Sequence, residues 1–194
     1  MKATLLFFAG LLCGAALIAF VPHAAGHLHA AMRSIHGEQS SQAPASARAH
    51  TEEHFSFTAH APMDQVAPLF GADKERLWSP GWNPQFVHPL PPADEPGMVF
   101  TVAHDHLHAN WVNTELDLKN GRVTYVYVIP DALVTIIRLR LTPQANDTLV
   151  DVQYDRTALS PETDSHVRHM ADGDRSSGPD WEHQINDYLE KTKR

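Results

Sequence analysis

Arg122-Val123-Thr124-Tyr125-Val126-Tyr127-Val128-Ile129 is the stretch on which the fold turns. Val123, Tyr125, Tyr127 and Ile129 occupy alternate positions, so in an extended chain their side chains share one face. The same period continues outward on both sides. Lys119-Asn120-Gly121 joins this strand to a run over residues 111–118, and Pro130-Asp131 joins it to residues 133–141, where Leu133, Ile137, Leu139 and Leu141 fall together. Further out, residues 97–103 place Met98, Phe100 and Val102 on one face, and residues 149–154 do the same with Val150, Val152 and Tyr154. Links this short require antiparallel hairpins, because a parallel crossover needs about a dozen residues or more.

The flanks are helical. Phe55 and Phe57 alternate with Ser56 and Thr58 as a first strand. Pro62 then suits a helix start, followed by an apolar stripe of Val66, Leu69 and Phe70, and a second short helix is expected over residues 73–78. Ser79-Pro80-Gly81-Trp82-Asn83-Pro84 reads as a turn, since Pro presets φ and Gly tolerates a positive φ after it. At the C-terminal end Ser160 and Pro161 open a helix, which the polar stretch 172–179 interrupts. Trp181, Ile185, Tyr188 and Leu189 then recur at helical spacing as an apolar face that must pack on something. Strand, two short helices, antiparallel strands and a terminal helix give an α+β domain whose curved sheet wraps the last helix.

The 194 residues carry 15 Lys plus Arg against 23 Asp plus Glu, a formal net charge of -8. Such a balance excludes nucleic acid as a partner, which needs clustered cations, and argues against adhesion to anionic lipid. Cys13 is the only cysteine, so the downstream chain has no disulfide, thiolate metal site or cysteine nucleophile.

Glu75-x-x-Trp78-x-Pro80-Gly81-Trp82-x-Pro84, Gly97-Met98-Val99-Phe100, Trp111, Thr157-Ala158-Leu159-Ser160 and Trp181-x-x-x-Ile185-Asn186-x-Tyr188-Leu189 together resemble a bacterial group of the SRPBCC superfamily. That superfamily includes START lipid-binding domains, the major birch pollen allergen and polyketide cyclases. The resemblance runs from about Phe55 to Leu189 and implies the helix-grip fold, with a cavity between the sheet and a long C-terminal helix. It does not fix a function, because that fold carries both binding proteins and enzymes. Two features depart from the group: the apolar N-terminal segment, and the polar stretch 172–179 in the terminal helix.

The implied ligand is a small hydrophobic molecule, and the cavity candidates are the aromatics Trp78, Trp82, Phe86, Phe100, Trp111, Tyr125, Tyr127 and Trp181. Core filling is the competing role for each. His104-Asp105-His106-Leu107-His108 could align three imidazoles on one strand face for Zn, Ni or Cu, with Asp105 or Glu115 adding an oxygen; an exposed polar hairpin tip is the alternative. An enzyme of cyclase or dehydratase type would draw an acid or base from His88, Glu115, Asp117 or Tyr125, although Glu115 and Asp117 alternate with Val112, Thr114 and Leu116 and read more readily as a solvated face. No spacing pairs them, and no triad, phosphate loop or metalloprotease motif occurs, so no catalytic residue is assigned and the reading leans towards a non-catalytic binder. A scaffold whose core is filled by its own side chains is the third reading.

Residues 1–26 read as a signal peptide or single-pass anchor: Lys2 precedes an uncharged run over 3–21, and Ala24-Ala25-Gly26 offers small residues for cleavage. Residues 27–50, rich in His, Ala and Ser, read as a flexible linker, and the domain is expected over 51–194, outside the cytoplasm, with residues 3–21 as its membrane tether. N-terminal sequencing of the mature protein should begin beyond Gly26; an intact Met1 would leave the anchor as the surviving reading.

Overall fold

Seven antiparallel strands form one sheet in the order β1-β7-β6-β5-β4-β3-β2. They are described in a computed structural model that covers residues 47–104 and 107–193. The strands are β1 (His50–Ala59), β2 (Gln85–His88), β3 (Val99–His104), β4 (Leu107–Asp117), β5 (Arg122–Ile129), β6 (Leu133–Gln144) and β7 (Asp147–Ala158). The chain enters through β1 at one edge, crosses to β2 at the other, and returns strand by strand until β7 closes against β1. The first and last strands are therefore neighbours, paired from His50↔Thr157 to Ala59↔Thr148. The folded chain reaches back to Ala49, whose N–H donates to Asp164 Oδ1 at 2.7 Å, two residues earlier than the boundary expected from sequence.

Between β1 and β2 lie helix α1 (Met63–Val66) and two 3₁₀ turns, Ala67–Leu69 and Lys74–Leu77. After β7 come α2 (Asp164–Ser176) and α3 (Gly178–Thr192), so the terminal helix is divided where the polar stretch falls. α2 lies against β1 and β7, and α3 lies against β1. Trp181, Ile185 and Leu189 of α3 are buried, as their spacing requires. Asn186 holds the same helix to the end of β1: its Nδ2 donates to Thr58 O at 2.9 Å, and its Oδ1 accepts from His60 N–H at 2.7 Å. Among the described residues no helix is long and apolar enough to cross a membrane. The expected export segment, most of the linker and the candidate tether over 3–21 lie outside the described residues.

Inward alternation holds along β5, β6 and β7. Val123, Tyr125, Tyr127 and Ile129 are buried, as are Leu133, Ile137, Leu139 and Leu141, and Val150, Val152 and Tyr154. On β7 the inward set continues to Arg156, which is only 1% exposed. Its Nη2 donates to both oxygens of Asp174 at 2.8 and 2.9 Å, and its Nε donates to Oδ2 at 3.1 Å. Its Nη1 donates to Thr135 Oγ1 at 2.8 Å and to the Tyr127 hydroxyl. The guanidinium also sits over the rings of Tyr127 and Tyr154, 5.7 and 5.5 Å from their centres. The polar stretch therefore does not simply loosen the terminal helix, because Asp174 within it is the buried counter-ion that fastens α2 to the sheet.

A charge pair taken fully out of water gains little net stability, but removing one partner strands the other. Asp174→Ala should accordingly lower the unfolding free energy by about 3–5 kcal/mol. The double variant Arg156→Met/Asp174→Leu should recover most of that loss. Urea denaturation of the three proteins checks it; a single variant as stable as the parent would contradict the clamp.

Candidate functional site

The inner face of β3, β4 and β5 carries an aromatic slab. Trp111 on β4 is its centre: the ring stacks on Tyr127 at 4.3 Å and on Phe100 at 5.6 Å, and meets Trp82 edge-on at 5.4 Å and Tyr125 at 6.3 Å. A second group forms under α3, where Trp181 contacts Phe55 at 5.5 Å and Trp78 at 5.6 Å. Seven of the eight aromatic candidates, Trp78, Trp82, Phe100, Trp111, Tyr125, Tyr127 and Trp181, are thus buried and packed ring against ring. Phe86 on β2 is half-buried and packs on the same core.

Trp78 and Trp82 are anchored from below by their own backbone neighbourhood. The Trp78 indole N–H donates to Leu69 O at 2.8 Å, and the Trp82 indole N–H donates to Ala72 O at 2.8 Å. The Ser79–Trp82 turn presents the second of them, with Gly81 at φ 81° as a type II turn demands. Trp111 differs. Its indole N–H is buried with no hydrogen-bond partner among the described residues, and so is Oδ1 of Asn113, two residues along the same strand. Asn113 is fully buried, and its Nδ2 finds only the Met98 sulfur at 3.8 Å. One donor and one acceptor are therefore unmatched on the same face of β4, beside the slab. Leaving a buried polar group unmatched costs about 1–3 kcal/mol.

At the edge of the slab lies an acid that composition gave no reason to notice. Glu75, from the 3₁₀ turn after α1, is 2% exposed. The Tyr125 hydroxyl donates to its Oε1 at 2.5 Å, while that hydroxyl accepts the Gly71 N–H at 2.9 Å. Burial pushes the Glu75 carboxyl from 4.5 up to about 8, against the opposing hydrogen bonds from Tyr125 and Gly71, and the charge of Asp94 adds to the rise. Glu75 is therefore neutral at pH 7. Tyr125 is pushed well above its ordinary value, first by burial and then by the neighbouring acid. Gly71 makes the junction feasible: its φ is 123°, and a Cβ there would come within 2.4 Å of the Asp94 carboxyl carbon. Glu75 was visible only within the Glu75-x-x-Trp78 motif, where nothing marked it as buried.

The other acid and base candidates fall elsewhere. A bulge in β4 between Asn113 and Glu115 reverses the facing of the strand end, so Glu115 and Asp117 turn to the outer surface. There both hold Arg122, at 2.7 and 2.5 Å. His88 is exposed on β2. Of the four residues considered for acid–base work, only Tyr125 reaches the interior. His106 lies outside the described residues, as do the side chain of His104 and neighbouring Asp105; His108 is exposed. Among the described residues no group of three His, Cys, Asp or Glu side chains is placed to hold a metal.

Because Glu75 is protonated in the folded state and ionises near 4.5 when unfolded, its share of stability is full below pH 4.5 and is lost as pH rises towards about 8. Over that window the parent should lose on the order of several kcal/mol relative to Glu75→Gln, whose curve should be flatter. Chemical denaturation at half-unit pH intervals checks it; parallel curves would place the Glu75 ionisation elsewhere.

No protein-family model and no curated protein sequence matches the chain. Solved structures do. A point mutant of norcoclaurine synthase from Thalictrum flavum, in complex with a transition-state analogue, superposes with TM-score 0.58 at 10% identity, over 76% of this chain and 99% of that one. XoxI from Bacillus cereus superposes with TM-score 0.55 at 16% identity, over 75% and 99%. DynU16, from the dynemicin biosynthetic locus, gives TM-score 0.50 at 16% identity, over 73% of this chain and 48% of that one. At such identities the likeness concerns architecture alone. A seven-stranded antiparallel sheet with helices after its last strand, matched to these proteins, is a Bet v 1-like helix-grip fold.

Proposed function

We propose that the domain binds a small, uncharged, largely apolar molecule carrying a hydroxyl group, at the Trp111–Asn113 edge of the aromatic slab. The observation that carries this reading is the unmatched pair on β4: a buried indole N–H and a buried amide oxygen two residues apart. A hydroxyl both accepts and donates, so one group of a ligand can answer both. Trp82, Phe100 and Tyr127 around Trp111 supply flat surfaces for an aromatic or alicyclic body. Norcoclaurine synthase, on the same fold, holds a transition-state analogue, which fits small-molecule binding by this architecture. The export segment over residues 1–26 would place this binding outside the cytoplasm.

One observation favours chemistry as a second reading. Glu75 is a neutral carboxyl at pH 7 beside a tyrosine, the state a general acid needs, and it adjoins the same slab through Tyr125. A cyclase or dehydratase step would use it to protonate a carbonyl or a departing hydroxyl.

Native mass spectrometry of protein purified from a bacterial host tests the first reading. A co-purified apolar mass, lost on denaturation, should appear. Trp111→Phe keeps the stacking surface and deletes the N–H, so it should weaken the complex about fivefold, the scale of one hydrogen bond. A clean mass that gains nothing after exposure to fatty acids, sterols and hydroxylated polycyclic aromatics would sink both readings. If turnover is found with a bound ligand, Glu75→Gln should abolish it while binding persists; unchanged turnover would remove Glu75 from the chemistry.

A further inference from the structure

The outer face of the sheet carries a groove of about 440 Å³ running from β4 to β1. That volume lies within the range of small-molecule sites, roughly 300–1,000 Å³. The pairing register explains its chemistry. Glu115, Thr124, Arg138, Gln153 and His54 form one rung across five strands, and Asp117, Arg122, Arg140, Asp151 and Ser56 form the next. These positions alternate with the buried ones, so they present polar groups outward, while the methylene stems of the arginines give apolar walls.

Most charges in these rungs are matched. Arg122 holds Glu115 and Asp117, Arg138 holds Asp155, and Gln153 Nε2 donates to Glu52 and Asp155, each at 3.0 Å. Arg140 and Asp151 are the exception. They sit directly opposite one another on β6 and β7, yet neither makes an ion pair or side-chain hydrogen bond with any described residue. Directly opposed residues in such a pair have Cβ atoms about 4.5–5.5 Å apart. Both are exposed at the groove and line it. The groove thus offers one guanidinium and one carboxylate, side by side and unanswered, while Arg122 is shared by two acids and Arg138 is held by one.

We propose that this groove binds a small zwitterion of amino-acid type, its carboxylate on Arg140 and its ammonium on Asp151. A guanidinium fork matches a carboxylate in two parallel hydrogen bonds, and a lone carboxylate accepts from an ammonium, so both ends are recognised in one orientation. The site is separate from the interior slab, whose side chains lie on the other side of the sheet.

L-Alanine, propionate and ethylammonium separate the possibilities, since the latter two each keep one charge of the first. Titration of the full chain in detergent micelles, followed by NMR at the backbone amides of Thr124, Arg140 and Gln153, should give a dissociation constant for L-alanine at least about fivefold below those of both controls. Arg140→Asp and Asp151→Arg should each remove that preference. The double exchange Arg140→Asp/Asp151→Arg should restore it to within about twofold, because the ligand can reverse. Both residues are exposed, so these variants keep the core intact. Propionate binding as tightly as L-alanine would overturn the proposal in favour of an anion site. It also fails if the single variants bind like the parent, if the exchange restores nothing, or if no amide shifts up to about 100 mM ligand.

Discussion

A guanidinium that is 1% exposed dictates much of this architecture. Isolated in a protein interior, Arg156 would cost several kcal/mol, so the fold must bring it a carboxylate, further acceptors and polarisable rings. Asp174 supplies the carboxylate, Thr135 and Tyr127 supply acceptors, and Tyr127 and Tyr154 supply ring faces. These partners come from β5, β6, β7 and α2. Satisfying one side chain therefore fixes where α2 crosses the sheet. The start of α3 follows, because Gly178 comes so close to Phe55 that a Cβ would lie 3.3 Å from its ring. From that approach Trp181 drops between Phe55 and Trp78.

The return path of the sheet was legible in the sequence because its alternation is nearly unbroken from Met98 to Tyr154. The C-terminal helix was legible because Trp181, Ile185 and Leu189 recur at helical spacing. What escaped has physical reasons. β2 is four residues long and has one half-buried side chain, too few for a period to show. Glu115 and Asp117 read as a solvated face and are one, but its cause was hidden: they share the inward parity of Trp111 and Asn113, and an extra residue at the bulge turns them out. That single irregularity separates a solvated ion-pair cluster from an acid in the core.

The buried charges were harder still. Asp, Glu and Arg are mostly exposed, so sequence reasoning assigns them to water unless periodicity objects. For Arg156 it does object: Val150, Val152 and Tyr154 lead straight to it, and an inward arginine at the end of such a series asks for a counter-ion. The polar stretch 172–179 looked like a weakness in the helix for the same reason. For Glu75 no period exists, since a 3₁₀ turn of four residues gives none. Its burial comes from tertiary contact with Tyr125, 50 residues away.

The two faces of the sheet differ in the charge they can accept. Inside, the described ionisable groups are already balanced: Arg156 is matched by Asp174, and Glu75 is held neutral by burial. A ligand carrying a net charge against the inner face would meet no free counter-ion among the described residues, and the uncompensated charge would cost several kcal/mol. A neutral molecule with a single hydroxyl loses far less and gains two partners. Outside, water screens each contact, so a lone charge gains little there, and two opposed charges held side by side can discriminate what either alone cannot. With both proposed sites filled, one sheet would sort small molecules by charge, because its two faces have different dielectric surroundings.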